Sequence, residues 1–497
     1  MPTLRTFRRA ACTILFLAAV PAAAFECPER GGRPWREIGA GHVTLVTDLG
    51  SGAGQDLARE LERLILVLHA VLPKVGGPVQ PVRAVALRDG EDFDLFAPKH
   101  ADALYVRDEL GVPTVVMPGV LGGAQREVIA HELTHHLAAR VFARQPLWFS
   151  EGVATFMETI GASGPGNTPT LGGVPLSRFR EVYPFHGGAA KVLQAQGHLE
   201  TSRDYALAWA LVHFLFNQRS AELARLQAAF AQGKDPAAAW REIFPEWDPA
   251  SATGAAALDE AVGRYLANGK FRYFDVHLPA EQPVTERPLS AAEVHSVRMS
   301  LPWINRGEKV APERRAAEVA EALAHDPGHV KALRSSKGER LPLAERAAAA
   351  HPEDVDAWLF LAAALPPGAG ERREEALRKA VAAGPANAIA LNNLAWLLLE
   401  TGRSGEALPL ARSAVGLAPW SSAALDTLAQ VSDDLGLCAQ ALQVERRAVD
   451  VLPERLPAKE RAAYLETLGH LEAKCGVKAS APPATAPAET AAPRPTP

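Results

Sequence analysis

The chain has 497 residues, a length for two to four domains with ample core; 48% of them are apolar and only 6% aromatic. An Ala- and Leu-rich composition of that kind favours helices. The formal net charge of −5 excludes a global electrostatic case for nucleic acid or anionic lipid as partner.

Residues 1–24 read as a secretory signal. Arg5, Arg8 and Arg9 give a positive start, Ala10–Val20 is an apolar run of signal length, and Ala22-Ala-Ala24 offers a cleavage site before Phe25. No later segment reaches the ~18 uncharged apolar residues of a membrane span. The expected location is therefore periplasmic or secreted. Cys12 leaves with the signal, so Cys27, Cys438 and Cys475 remain. The last two fall in adjacent helical hairpins, where either a disulfide or two buried thiols would fit.

From 35 to 125 the pattern is mixed. His42–Thr47, Val82–Leu87 and Val112–Met117 read as strands. Between the first two, Leu57, Leu61, Leu64, Ile65 and Leu68 form one helical stripe, and Glu91–Phe96 is a helical turn.

Arg126–Leu137 then carries His131-Glu132-x-x-His135. On a helix, four residues turn the chain by about 400°, so both imidazoles share a face one turn apart. Val128, Ile129, Leu133 and Leu137 supply the apolar face, with no Gly or Pro from 124 to 145. That spacing fits one metal ion with Glu132 beside it, or equally a pair of hydrogen-bonded core histidines. Sixteen positions past His135 stands Glu151, in a second apolar segment, Pro146–Ala154. Two His and one Glu leave a zinc position open, as catalytic sites do. His136 lies about 100° round the helix from His135 and is expected in solvent or behind the ligands.

His131-Glu132-x-x-His135 followed by Trp148-x-x-Glu151-Gly152-x-Ala154 resembles the gluzincin metallopeptidases, most closely the peptidase MA-like family. His42–Asp48 and Tyr205–His213 also look like that family, so the resemblance spans roughly 35–270 and is most specific at 126–157. It implies an α+β domain, a small mixed sheet with a helical half, holding one Zn²⁺ on His131, His135 and Glu151. It further implies hydrolysis of peptide bonds by a zinc-activated water with Glu132 as general base. A strand edge beside the cleft, Leu104–Val106 or Val112–Met117, would pair with extended substrate. Thermolysin-type relatives have an Asp four residues after the ligand Glu; here that position is Thr155, and no partner for the ligand histidines can be read from sequence.

Residues 160–198 are rich in Gly and read as a loop with short helical pieces that rims the cleft. In Ser202–Gln218, Tyr205, Trp209 and His213 recur every four residues on one helical face. Tyr205 and His213 are the candidate donors to the oxyanion of the tetrahedral intermediate; the alternative is helix packing. Helices continue to 275 and close a domain at 35–275. Residues 276–310 read as a linker.

Pro352, Pro385, Pro419 and Pro453 are separated by 33, 34 and 34 residues. Ala390-Leu-Asn-Asn-Leu-Ala395 recurs as Ala424-Leu-Asp-Thr-Leu-Ala429, and Gly402 as Gly436. This resembles tetratricopeptide repeats, an all-α solenoid over 311–476 that begins with a degenerate copy near Arg314 and ends on a capping helix near Ala462–Lys474. Such a stack either docks a peptide or protein partner or only braces the enzyme. Residues 477–497, rich in Ala, Pro and Thr, read as a disordered tail. Together these features predict an exported zinc peptidase, read as an endopeptidase, with client-docking repeats and no nucleic acid partner. The alternative is a catalytically idle peptidase-like domain in a repeat-based binding or assembly protein.

Overall fold

The computed structural model describes residues 31–475 apart from 73–81, 100, 108–112, 163–167, 196–198, 308–311 and 453–455. The expected signal 1–24, Cys27, Val112, Pro453 and the tail 477–497 lie outside the described residues.

Six strands form the principal sheet: β1 (Arg36–Ala40), β2 (Val43–Thr47), β3 (Val82–Leu87), β4 (Leu104–Arg107), β5 (Pro113–Pro118) and β9 (Val284–Pro288), in the order β4-β5-β3-β2-β1-β9. β2, β3 and β5 run parallel and the remaining pairs antiparallel. Helices α1 (Ser51–Val71) and α3 (Gly123–Val141) cover one face; α2 (Gly90–Phe96) and α11 (Ala291–Ser300) cover the other. Central β3 is apolar on both faces apart from half-buried Arg83. Ala84 and Ala86 pack with α1 and α3, while Val85 and Leu87 pack with α2 and α11.

Two expectations change here. β5 is paired on both sides, so it has no free edge for a substrate strand; among the described residues the sheet's two edges are β4 and β9. The segment 276–310 is not merely a linker, because β9 pairs with β1 along its whole length and α11 is buried on the sheet. Four of the five β9 residues are exposed, so no apolar alternation marks the strand. It is held by the ladder and by the Arg36–Glu286 and Arg287–Glu37 ion pairs, both 2.9 Å.

The helical half comprises α4 (Leu147–Met157), α5 (Leu176–Val182), α6 (Ala189–Leu193), α7 (Ser202–Gln218), α8 (Ser220–Ala231), α9 (Pro236–Ile243) and α10 (Ala252–Asn268). A small sheet of β6 (Gly161–Ala162), β7 (Pro169–Leu171) and β8 (Phe274–Asp275) lies within the same region. Thr201 and Asp204 close a capping box at the start of α7.

From α12 (Pro312–His325) the chain is a stack of helical hairpins: α13 (Val330–Ser335) with α14 (Arg340–Ala350), α15 (Val355–Ala364) with α16 (Gly370–Ala383), α17 (Ala388–Glu400) with α18 (Ser404–Leu417), and α19 (Ser422–Asp434) with α20 (Cys438–Asp450). α21 (Ala458–Cys475) closes it, tied to α20 by a Cys438–Cys475 disulfide. The repeated alanines explain the period: Ala357, Ala390, Ala395, Ala424, Ala429, Ala407 and Ala441 are all buried where helices meet. Gly402 and Gly436, each at φ 71°, supply the left-handed residue that ends α17 and α19. Among the described residues no helix is long and apolar enough to cross a membrane.

One repeat contains a stability switch. Glu445 of α20 is fully buried near Asp426 of α19; burial, then the Asp426 charge, pushes its carboxyl up to about 8. An unfolded glutamate titrates near 4.3, so the fold favours the protonated form and loses stability as pH rises from there through about 8. Glu445→Gln should therefore raise the thermal midpoint at pH 9, by the equivalent of a few kcal/mol at about 1.4 kcal/mol per pKa unit, and change it little at pH 5. Thermal melts at the two pH values check this.

Candidate metal centre

α3 needs no strong cap to form, since its buried stripe (Ile129, Ala130, Leu133, Leu137 and Ala138) packs into the domain core. His131 and His135 emerge from another face. α4 is positioned across them by Trp148, which packs edge-on to Trp240 with ring centroids 5.5 Å apart, and by Phe149 against Phe142 and Phe230. Gly152 makes close approach to α7 feasible: a Cβ there would stand 2.5 Å from the Ala208 carbonyl oxygen. The Glu-Gly-x-Ala sequence therefore carries a candidate ligand followed by a packing residue.

The three candidate ligands converge. His131 Nε2 lies 3.1 Å from His135 Nε2, Glu151 Oε2 lies 3.4 Å from His131 Nε2, and Glu151 Oε1 lies 3.5 Å from His135 Nε2. Donors around a tetrahedral zinc with bonds of about 2.05 Å are separated by about 3.3 Å, so two nitrogens and a carboxylate stand at the spacing such an ion requires. Their side chains remain partly exposed, at 14%, 25% and 15%, so one side is open to solvent.

The outer partners that sequence could not supply are present. Glu158, seven residues past Glu151, has its Oε1 2.8 Å from His131 Nδ1, and Ser150 Oγ lies 3.1 Å from His135 Nδ1. Arg178 donates to Glu158 at 3.4 Å. Carboxylate–histidine pairs of this kind orient ligands and raise their basicity. Thr155 is buried within α4, and the orienting role falls to Glu158, almost one turn later. Glu158→Gln is expected to weaken zinc binding by about 10–100-fold, measured by competition with a chromophoric chelator.

Without metal, a proton holds the ligands together. Burial alone would lower the His131 pKa, but hydrogen bonds to Glu151 and Glu158 outweigh it and raise it to about 9. Burial would raise Glu151, and the two histidines instead pull it down to about 2. A zinc ion bound here would have to displace the His131 proton. Its apparent affinity should therefore rise about tenfold per pH unit up to pH 9, then level off, in chelator titrations across pH 6–10.

Glu132 lies next to His131 on α3, half-buried. Tyr205 of α7 is beside the site: the Arg178 guanidinium that reaches Glu158 sits 5.9 Å from the centre of its ring. His213 is a correction. It is fully buried; Nε2 lies 3.2 Å from the Gly172 carbonyl oxygen, and the Tyr265 hydroxyl lies 2.7 Å from Nδ1. Burial, partly opposed by the Gly172 bond, lowers its pKa to about 4. Among Phe156, Trp209, Tyr265 and Phe271 it is a neutral core group, not an oxyanion donor.

His136 is a second correction. It is buried rather than solvent-facing, with its ring 4.6 Å from that of Trp420 in the repeats. Arg140 Nη2 donates to the Leu417 carbonyl, Arg447 Nη2 donates to the Ala139 and Pro419 carbonyls, and Arg144 pairs with Asp450 at 3.0 Å. The repeats thus grip α3 directly. A cavity of about 1400 Å³ opens between them and the start of α4, lined by Trp148, Ser150, Arg447 and Arg461 among others.

A family described as "Protein of unknown function (DUF1570)" matches residues 126–237, from the start of the His131 helix to the start of α9. No curated protein matches. Among solved structures, the chain is similar to MamA 41-end from Desulfovibrio magneticus RS-1, with 20% identity, coverage of 31% of this chain and 80% of that one, and a TM-score of 0.24. It is also similar to yeast Tom70, with 14% identity, 71% and 74% coverage and a TM-score of 0.30. Scores this low establish no shared overall arrangement.

Proposed function

We propose that the protein is an exported zinc-dependent peptidase whose helical repeats hold protein clients or partners against the catalytic domain. The observation that carries this reading is the convergence of His131, His135 and Glu151 within 3.1, 3.4 and 3.5 Å of one another. Support also comes from Glu158 behind His131, because a carboxylate-oriented imidazole is how proteins prepare a metal ligand. Three donors with one side open suit catalysis better than a closed structural site.

When bound, zinc supplies a Lewis acid that polarises a carbonyl and acidifies water toward neutral pH. The chain's own groups do the rest. Glu132 takes the proton as water adds to the scissile carbonyl and hands it to the departing amine. Tyr205 is the candidate to hydrogen-bond the developing oxyanion. Edge strand β4 offers backbone groups for an extended substrate.

A second reading, an idle peptidase-like domain serving a repeat-based binding protein, is favoured by one observation. The back of α3 is committed to the repeats through His136, Arg140 and Arg447, which makes the domain a rigid platform for them. The two separate on one assay. Zinc-loaded chain incubated with an unfolded protein should generate new peptide termini, whereas the idle reading gives client binding without cleavage.

A further inference from the structure

A second cluster of metal-ligating side chains lies far along the chain from the first, where the catalytic domain meets the repeats. His295 projects from α11, which covers the sheet; Glu321 and His325 come from α12, the first repeat helix. One ligand atom from each lies within 4.8 Å of the other two. Glu321 and His325 are four residues apart on α12, so both point to the same side, with His325 Nε2 4.0 Å from Glu321 Oε2. The His295 and His325 rings are stacked at 24° with centroids 6.0 Å apart.

The cluster is built in the same way as the first. His295 is fully buried, and its Nδ1 lies 2.7 Å from Oε1 of Glu318, itself buried. Arg298 Nε donates to the two oxygens of Glu318 at 3.1 and 3.3 Å, which fixes the carboxylate that fixes the imidazole. Arg298 also brings a positive charge nearby, and its pairing with Glu318 offsets it. On the opposite side Glu321 and His325 keep partial solvent access, at 20% and 24%, which gives an ion a way in.

We propose that His295, Glu321 and His325 bind a second divalent ion of the borderline class, Zn²⁺ foremost, with Glu318 as the positioning residue. Two imidazoles and a carboxylate select such ions over Mg²⁺ or Ca²⁺. Bound there, the ion fastens α11 to α12 and so sets the repeat stack against the catalytic domain. The proposal does not rest on the peptidase reading.

The test is a zinc count on the full chain, stripped with chelator, reloaded with excess Zn²⁺ and desalted. Wild type should retain two ions, Glu151→Ala one, the Glu321→Ala/His325→Ala variant one, and the triple variant none. His325→Asn alone, at an exposed position of α12, guards against misfolding of the double variant and should lose the same ion. If chains altered at 321 and 325, or at 325 alone, keep as much zinc as wild type, the proposal is overturned. If instead only Glu151→Ala keeps the wild-type count, the first site is the one that fails.

Discussion

Glu151→Ala is expected to lower zinc affinity at the His131–His135 site by at least about 10²-fold and to abolish hydrolysis at limiting zinc. Loss of an outer partner alone costs about 10–100-fold, and Glu151 is proposed as a direct ligand. The geometry adds a second reason. Glu151 is the group that balances charge between the two imidazoles, at 3.4 and 3.5 Å. Without it His131 keeps only Glu158 as a carboxylate partner, and two neutral nitrogens 3.1 Å apart form a poor site for a dication. Isothermal titration with Zn²⁺ at pH 7.5 reads the change. Unchanged affinity would assign the ion to other residues. Folding should survive, because Gly152 and Phe156 pack α4 against α7.

Glu132→Gln separates chemistry from metal binding. The amide preserves shape and helix propensity but cannot accept a proton, and general-base removal typically costs about 10²–10⁴-fold. The expected result is a fall of that size in kcat for peptide hydrolysis, with zinc content and thermal midpoint within error of wild type. Glu132 stands one residue from His131 on α3 yet is absent from the ligand triad, so its loss leaves the donor set intact. A variant that keeps zinc and also keeps wild-type kcat would contradict its role. A variant that loses zinc would make Glu132 a ligand instead.

What the sequence made legible was local. The four-residue step from His131 to His135 fixes their shared face whatever the rest of the chain does, and a 34-residue period with alanines at helix contacts specifies hairpins by itself. What escaped it was decided by distant partners. Glu158 carried one usable signal, a carboxylate seven residues beyond Glu151 and so on nearly the same helical face, but its target is a histidine on another helix. His136 read as facing solvent or lying behind the ligands, and its packing against Trp420 was not legible because that partner comes nearly three hundred residues later. β9 lacked alternation because an edge strand exposed on both faces needs none. His213 shares a periodic stripe with Tyr205, yet the deeper turns of α7 are enclosed by Phe156, Tyr265 and Phe271 while Tyr205 stays half-buried. Periodicity gives a face; depth along that face comes from tertiary packing.

The coupling of repeats to α3 matters for any client. On the proposed reading, a protein docked on the repeats would be held by the scaffold that contacts the back of α3 at His136, Ala139 and Arg140. Tethering of that kind raises the local concentration of substrate without needing a deep specificity pocket.

The most direct measurement is mass spectrometry of new amino termini after an unfolded protein is incubated with zinc-loaded full chain, with the Glu132→Gln chain as control. The account predicts new internal termini with wild type, their loss on chelation and recovery on adding Zn²⁺, and none with Glu132→Gln. A zinc-replete wild-type chain that binds the unfolded protein and yields no new termini would contradict it.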